Sequence, residues 1–186
     1  MNKVFFDLEW NTGFLDGNSF DEIIEIGAVK TDEEYRQIDG FRRLIRPVIY
    51  RKMNPYIQKI LAITMKDLQG EEPLASVAKA FFDWCGDCDT LIAWSGNDFG
   101  VLEKNLAHIG MKIPEQLGRY DVQMAYAYRT ENSIRNYALK AAVEAMELPE
   151  PEGQEYHDAY CDAQFTAAIG RALTERYGPL PAVEEL

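Results

Sequence analysis

Cysteine is scarce in this chain, and long hydrophobic runs are missing. Three cysteines among 186 residues make no disulfide framework, which points to a reducing compartment. No segment reaches the apolar length of a membrane span or a secretory leader, so the expectation is a soluble, cytoplasmic protein with no membrane partner. Positive charge is also in deficit. The 19 Lys and Arg against 31 Asp and Glu leave a formal charge of −12, which argues against general affinity for duplex DNA or anionic lipid. Any contact with nucleic acid must then be local or metal-assisted. Internal repeats and low-complexity stretches are absent too.

The Cys85-Gly86-Asp87-Cys88 spacing is that of a redox pair, but its surroundings are reversed. Pro73 to Trp84 predicts an amphipathic helix, Gly86 its stop and Thr90 to Trp94 the strand that follows, whereas a reactive pair opens a helix. No second pair exists to complete a zinc site, so these cysteines read as structural.

What is present is enough for one domain with a substantial core: residues 1–177, followed by a Pro-rich, acidic tail at 178–186. Val4-Phe5-Phe6-Asp7-Leu8-Glu9-Trp10 predicts a strand. Its period of two puts Phe5, Asp7 and Glu9 on one face and Val4, Phe6, Leu8 and Trp10 on the other. Two like charges in apolar surroundings are costly unless a cation sits between them; the alternative is a strand that ends at Leu8 with solvated acids at its tip. Asn11 to Phe20, rich in Gly, Asn and Asp, reads as a loop. Strands at Glu22 to Val29 and Arg36 to Arg46 complete an antiparallel meander. A short helix over Pro55 to Ile63, a turn capped by Thr64 and the Pro73 helix come next. Then the strand at Leu91, a helix over Asn97 to Ile109, a last strand at Tyr120 to Val122 and nearly continuous helix imply parallel crossovers. The expectation is an α/β fold of ribonuclease-H-like type: a mixed five-stranded sheet in the order 3-2-1-4-5, strand 2 antiparallel, flanked by helices.

Three segments then place acids at one end of that sheet. Asp98 follows the fourth strand at a helix start, where capping is the default reading of a lone Asp. His157 and Asp162 lie five apart, about 140° on a continuous helix, so they converge only if Asp158 caps the helix and His157 precedes it. His108 sits on an amphipathic helix and reads as structural. Asp7, Glu9, Asp98 and Asp162 suit a pair of hard cations, Mg²⁺ or Mn²⁺, and His157 can take a proton from water near neutral pH. From Arg42 to Lys59 the chain carries six cations and no acid. That run is either a charge-protected strand edge or a phosphate track for a single strand.

Asp7-Leu8-Glu9, the run Glu22-Ile23-Ile24-Glu25-Ile26-Gly27-Ala28-Val29, Asp98 after Gly96-Asn97, and His157 with Asp162 resemble the ordered motifs of the DEDDh 3′-to-5′ exonucleases over about residues 3–175. Arg46-Pro47, Leu61 to Leu68 and Trp94-Ser95-Gly96 look most like the Eri/KapD-like exoribonuclease branch. The resemblance implies a nuclease that uses two divalent cations on the 3′ end of single-stranded RNA or short DNA and releases nucleoside 5′-monophosphates. Asp7 would bridge both ions, Glu9 and Asp162 would complete the first site, Asp98 would hold the second, and His157 would be the general base. Trp10, Asn11, Thr12, Phe14, Asn97, Arg42 and Arg46 are the substrate-binding candidates. Many relatives follow the first motif with Thr-Thr-Gly, whereas here Trp10-Asn11 precedes Thr12-Gly13, so Trp10 either stacks on a base or fills core. A regulatory module that keeps the fold, and a proofreading exonuclease for a DNA polymerase, are the alternatives. The expected state is a monomer or homodimer.

Overall fold

In the computed structural model, which describes residues 2–61, 63–131, 136–149 and 156–182, the strand rich in Val and Phe is the central one. β1 (Lys3–Leu15), β2 (Asn18–Thr31), β3 (Gln37–Leu44), β4 (Thr90–Ala93) and β5 (Gly118–Asp121) form one sheet in the order β3-β2-β1-β4-β5. β2 is antiparallel to both neighbours, and β4 is parallel to β1 and β5. This is the expected ribonuclease-H-like arrangement. The alternation along β1 sorts two cores. Val4, Phe6 and Leu8 pack with α3 (Leu74–Cys85) and α4 (Gly96–His108), while Phe5 packs with α5 (Val122–Glu131), α6 (Leu139–Ala145) and α7 (Ala159–Tyr177). Burying such Val, Ile, Leu and Phe side chains stabilises by about 1.5–3 kcal/mol each. A third cluster joins Ile24 to Met53, Leu61 and Leu68 around α1 (Pro55–Ile60) and α2 (Met65–Leu68).

The segment Asn11 to Phe20 is not the loop its composition suggests. β1 and β2 stay paired as a long hairpin from Asn11↔Glu22 to Leu15↔Asn18. The turn is Asp16-Gly17, both at positive φ (50° and 81°), the Asp-Gly combination that matches strand twist in a two-residue connection. Polar side chains disguised this arm, which holds by backbone pairing and by the Thr12 hydroxyl donating to Asp21 at 2.7 Å.

α7 crosses β2 at very close range. A Cβ on Gly27 would come within 2.1 Å of the Tyr160 backbone nitrogen, so only glycine fits. Gly27→Ala must push the start of α7 off the sheet. We expect a loss of at least about 3 kcal/mol or failure to fold, measured by urea unfolding. A change under about 1 kcal/mol would mean that the helix start yields easily.

The cysteine pair is structural in its placement: Cys85 and Cys88 are buried and unpaired, and burial pushes the Cys85 thiol up to about 12. Residues 178–182 lie against the body, with the Tyr120 hydroxyl donating to the Pro181 carbonyl at 2.8 Å and Arg129 to the Pro179 carbonyl at 2.9 Å. Among the described residues, no helix is long and apolar enough to cross a membrane.

Candidate functional site

The pairing of β1 with β4 runs to Phe5↔Ile92, and the chain carries its acids just beyond it. Asp7 faces Gly27 and Glu9 faces Glu25 on β2. The register then slips, pairing Trp10 with Ile23, so Ile24 is the extra residue of a bulge. Bulges of this kind re-aim side chains at the rim of a sheet.

Asp98 comes from α4. Its capping role is taken by Ser95, whose hydroxyl accepts the Asn97 N–H at 3.3 Å and donates to the Asp98 carboxylate at 3.2 Å. Asp98, 5% exposed, is thereby free to turn toward β1. On the third segment Asp158 caps α7 by accepting the Cys161 N–H at 3.1 Å. His157 precedes the helix at φ 68°, and its N–H donates to Asp162 at 3.2 Å. This is the convergence that the cap assignment requires.

Asp7, Glu9, Trp10, Asp98, His157 and Asp162 line one open cleft of about 300 Å³, with Leu8, Ile57, Ile60 and Leu61 as its apolar walls. A larger groove of about 600 Å³, lined by Met111, Ile113, Pro114 and Leu117 among others, lacks this concentration of chemistry. Glu9, His157 and Asp162 bring ligand atoms within 4.8 Å of one another.

The acids hold their protons tightly. Burial, then the charges of Asp98, Asp162, Glu9 and Glu25, raises Asp7 well above the ordinary carboxylate range. Burial and the Asp162 charge push Glu9 up to about 8. Burial takes Asp162 to about 7 although the His157 N–H pulls it down, and Asp98 to about 6 against the Ser95 hydroxyl and the Leu8 N–H. One Asp162 oxygen is buried without a hydrogen-bond partner. Among the described residues, no Lys or Arg lines the cleft. Four crowded carboxylates, one orphaned oxygen and one imidazole fit hard divalent cations such as Mg²⁺ or Mn²⁺.

A consequence for stability follows from these shifts. Each group is protonated more readily in the folded than in the unfolded chain. Its stabilising contribution is therefore complete below about pH 4 and is lost as pH rises through the range from about 6 to 8. A bound cation reverses that loss. Saturating Mg²⁺ or Mn²⁺ should raise the melting temperature by roughly 5–10 °C at pH 8 and by much less at pH 5, read by thermal-shift assay against EDTA. Equal shifts at both values, or none, would count against a cation among these acids.

The remaining substrate-binding candidates scatter. Asn11, 1% exposed, spends its amide on the loop before α1, donating to the Lys52 carbonyl at 3.0 Å and accepting the Asn54 N–H at 2.8 Å. Thr12 bonds Asp21, and Phe14, 78% exposed, lies out near the hairpin turn. Asn97 is exposed in the first turn of α4 beside Asp98. Arg42 borders an adjoining hollow of about 260 Å³ that shares His157 and Ile60, but its guanidinium is held by Glu25 and Asp158. Arg46 lies elsewhere, its N–H donated to the Glu72 carbonyl at 3.0 Å, in a hollow shared with His108. Trp10 packs on the core and also lines the cleft. The apolar wall went unassigned in the sequence, although Ile57, Ile60 and Leu61 fall at the spacing that puts them on one helix face.

Comparison with known proteins identifies the family and the fold. The family model RNase_T, described as exonuclease, matches residues 4–169. The DNA polymerase III PolC-type of Clostridium perfringens (strain 13 / Type A) is 29% identical over 169 residues, 89% of this chain and 11% of that protein. The chain thus spans about a tenth of that relative's length. The nuclease domain of 3′hExo, a DEDDh family member, bound to rAMP superposes with a TM-score of 0.83 at 17% identity, covering 97% of this chain and 94% of that one. E. coli exonuclease I in complex with a dA16 oligonucleotide gives 0.73 at 18%, covering 95% and 41%. At such identities these two structures speak for the fold alone.

Proposed function

This chain belongs to the RNase_T exonuclease family, and on that premise we propose that it is a metal-dependent 3′-to-5′ exonuclease of single-stranded nucleic acid, with RNA favoured and short DNA accepted. The observation that carries the reading is the meeting of Asp7, Glu9, Asp98, Asp162 and His157 in one open cleft at the end of the central strand. The exonuclease unit would span residues 1–177, working as a monomer or homodimer; the three free thiols suit a reducing cytoplasm.

Asp7, Glu9, Asp98 and Asp162 would hold two divalent cations, with Asp7 shared between them, and those ions would supply the charge stabilisation and water activation that in-line displacement at phosphate needs. His157, exposed at the mouth of the cleft, would take the proton of the attacking water on its imidazole nitrogen. Its donated backbone N–H holds the residue at Asp162, which fixes where the ring can reach. Trp10 with Ile57, Ile60 and Leu61 offers apolar surface to the terminal base and ribose and keeps bulk water from that side. Hydrolysis of the last phosphodiester would leave a nucleoside 5′-monophosphate and a new 3′-hydroxyl.

The preference for RNA draws support from the 3′hExo neighbour, solved with rAMP and matched over nearly its whole length. A DNA-trimming, proofreading role is the second reading, favoured by the likeness to the PolC-type DNA polymerase. The test uses 5′-labelled single strands of RNA and DNA of one sequence, with Mn²⁺, Mg²⁺ or EDTA. Stepwise shortening from the 3′ end with release of 5′-monophosphates, abolished by EDTA, is the expected result. Internal cuts, or no release with either cation, would refute it. A kcat/KM higher for RNA by about tenfold or more supports the first reading, and the opposite ratio supports the second.

A further inference from the structure

Glu25 is a buried carboxylate that the proposed chemistry does not use. It is fully buried on β2, opposite Glu9, and one of its oxygens has no hydrogen-bond partner. Its other oxygen accepts Arg42 Nε at 2.7 Å. Arg42 reaches from β3, where its register partner is Gly27, the residue on which the start of α7 rests. The same guanidinium contacts Asp158, the cap of α7, at 2.5 Å. Two carboxylates therefore share one cation, leaving the trio a net charge of −1 and little attraction for a phosphate. Immediately before Asp158 stands His157, at a positive φ uncommon for a residue that carries a side chain.

We infer that Glu25 and Arg42 are positioning residues: the chain Glu25–Arg42–Asp158 clamps the first turn of α7 to the sheet and thereby sets the His157 backbone and the Asp162 carboxylate at the cleft. The inference rests on the exonuclease reading for its effect on turnover, but the clamp itself is a matter of geometry. A buried acid is tolerated because Arg42 partners it, and the Arg42 guanidinium is held by one carboxylate on Nε and another on a terminal nitrogen. An arginine fork does this where a lysine cannot, since its nitrogens can bond two acceptors at once.

The test compares Arg42→Gln, Arg42→Lys and Asp158→Asn with the unaltered full chain. Asparagine caps a helix about as well as aspartate, so Asp158→Asn removes the ion pair and keeps the cap. The pair Glu25→Gln/Arg42→Gln, which deletes both charges together, serves if Arg42→Gln alone does not fold. Each variant is assayed with Mn²⁺ on a single-stranded oligonucleotide. In parallel, the imidazole resonances are recorded by NMR without metal, where the chain's two histidines make His157 separable from His108.

The expected result is a kcat lowered about 10–100-fold with KM within about threefold. Arg42→Lys recovers only part of it. Adding Arg42→Gln to Asp158→Asn costs no more than the worse single change, because both break one chain of contacts. The His157 resonance moves or broadens while His108 stays in place. A raised KM at unchanged kcat would overturn the inference by making Arg42 a substrate contact, as would an unmoved His157 resonance. If the unaltered protein releases no mononucleotide, the exonuclease reading falls, and the His157 spectrum alone then decides the clamp.

Discussion

Asp7→Asn eliminates mononucleotide release, by about 10³-fold or more, and makes the metal-free protein more stable than the unaltered one. The two effects have one cause. Asp7 lies where the charges of Asp98, Asp162, Glu9 and Glu25 all raise its proton affinity on top of burial. At pH 8 an ionised Asp7 therefore costs folding energy in the absence of a cation. Asparagine keeps the shape and removes the charge, with a gain on the order of 1–3 kcal/mol, or roughly 5 °C in melting temperature for a chain of this size. The same loss of charge removes the carboxylate proposed to be shared between the two cations. Thermal-shift assays in EDTA and chromatography of released nucleotides check the two halves separately. Activity within tenfold of the unaltered enzyme, or a lower melting temperature in EDTA, would show that Asp7 is not the hub of the acid cluster.

His157→Gly lowers kcat by about 10²–10⁴-fold, the range for loss of a general base, while the fold survives. Glycine is the informative choice because His157 sits at φ 68°, which glycine adopts without strain, and because truncation leaves space at an exposed position. The bond from its backbone N–H to Asp162 is available to glycine as well, so the acid cluster keeps its support. Imidazole added to the buffer should then restore part of the rate in a concentration-dependent way. A variant as fast as the unaltered enzyme would remove His157 from proton transfer. A slow variant that imidazole cannot help would place its contribution in binding instead.

The two glutamates of Glu22-Ile23-Ile24-Glu25 show how legible this site was. Along the strand they look equivalent, yet Glu22 receives the N–H groups of Val48, Ile49 and Tyr50 at 2.6, 2.7 and 2.9 Å, while Glu25 holds Arg42. One acid tethers a loop and the other holds the arginine that contacts the cap at the start of α7. The bulge at Ile24 sets where each lands, pairing Glu25 with Glu9 and Glu22 with Asn11, and a bulge has no signature in a pattern of apolar alternation. Asn11 is a second case: its place beside Asp7-Leu8-Glu9 suggests a substrate contact, whereas the fold gives its amide to the chain turning into α1.

By itself the sequence determined the sheet order, the central place of Val4 to Trp10 and the meeting of four acids and a histidine at its end. Those features depend on side-chain period, on handed crossovers and on helix caps, all of which act over a few residues. Tertiary structure alone decided what Arg42, the first cation of the run from 42 to 59, pairs with. Arg42 is neutralised by carboxylates 17 residues before it and 116 after it, contacts that no local pattern encodes. It also decided that Ile57, Ile60 and Leu61 wall the cleft and that Trp10 belongs to core and cleft at once. The physical reason is range. Hydrogen bonds and periodicity along one element are legible in order, whereas desolvation and ion pairing depend on which distant groups the packed fold brings within a few ångströms.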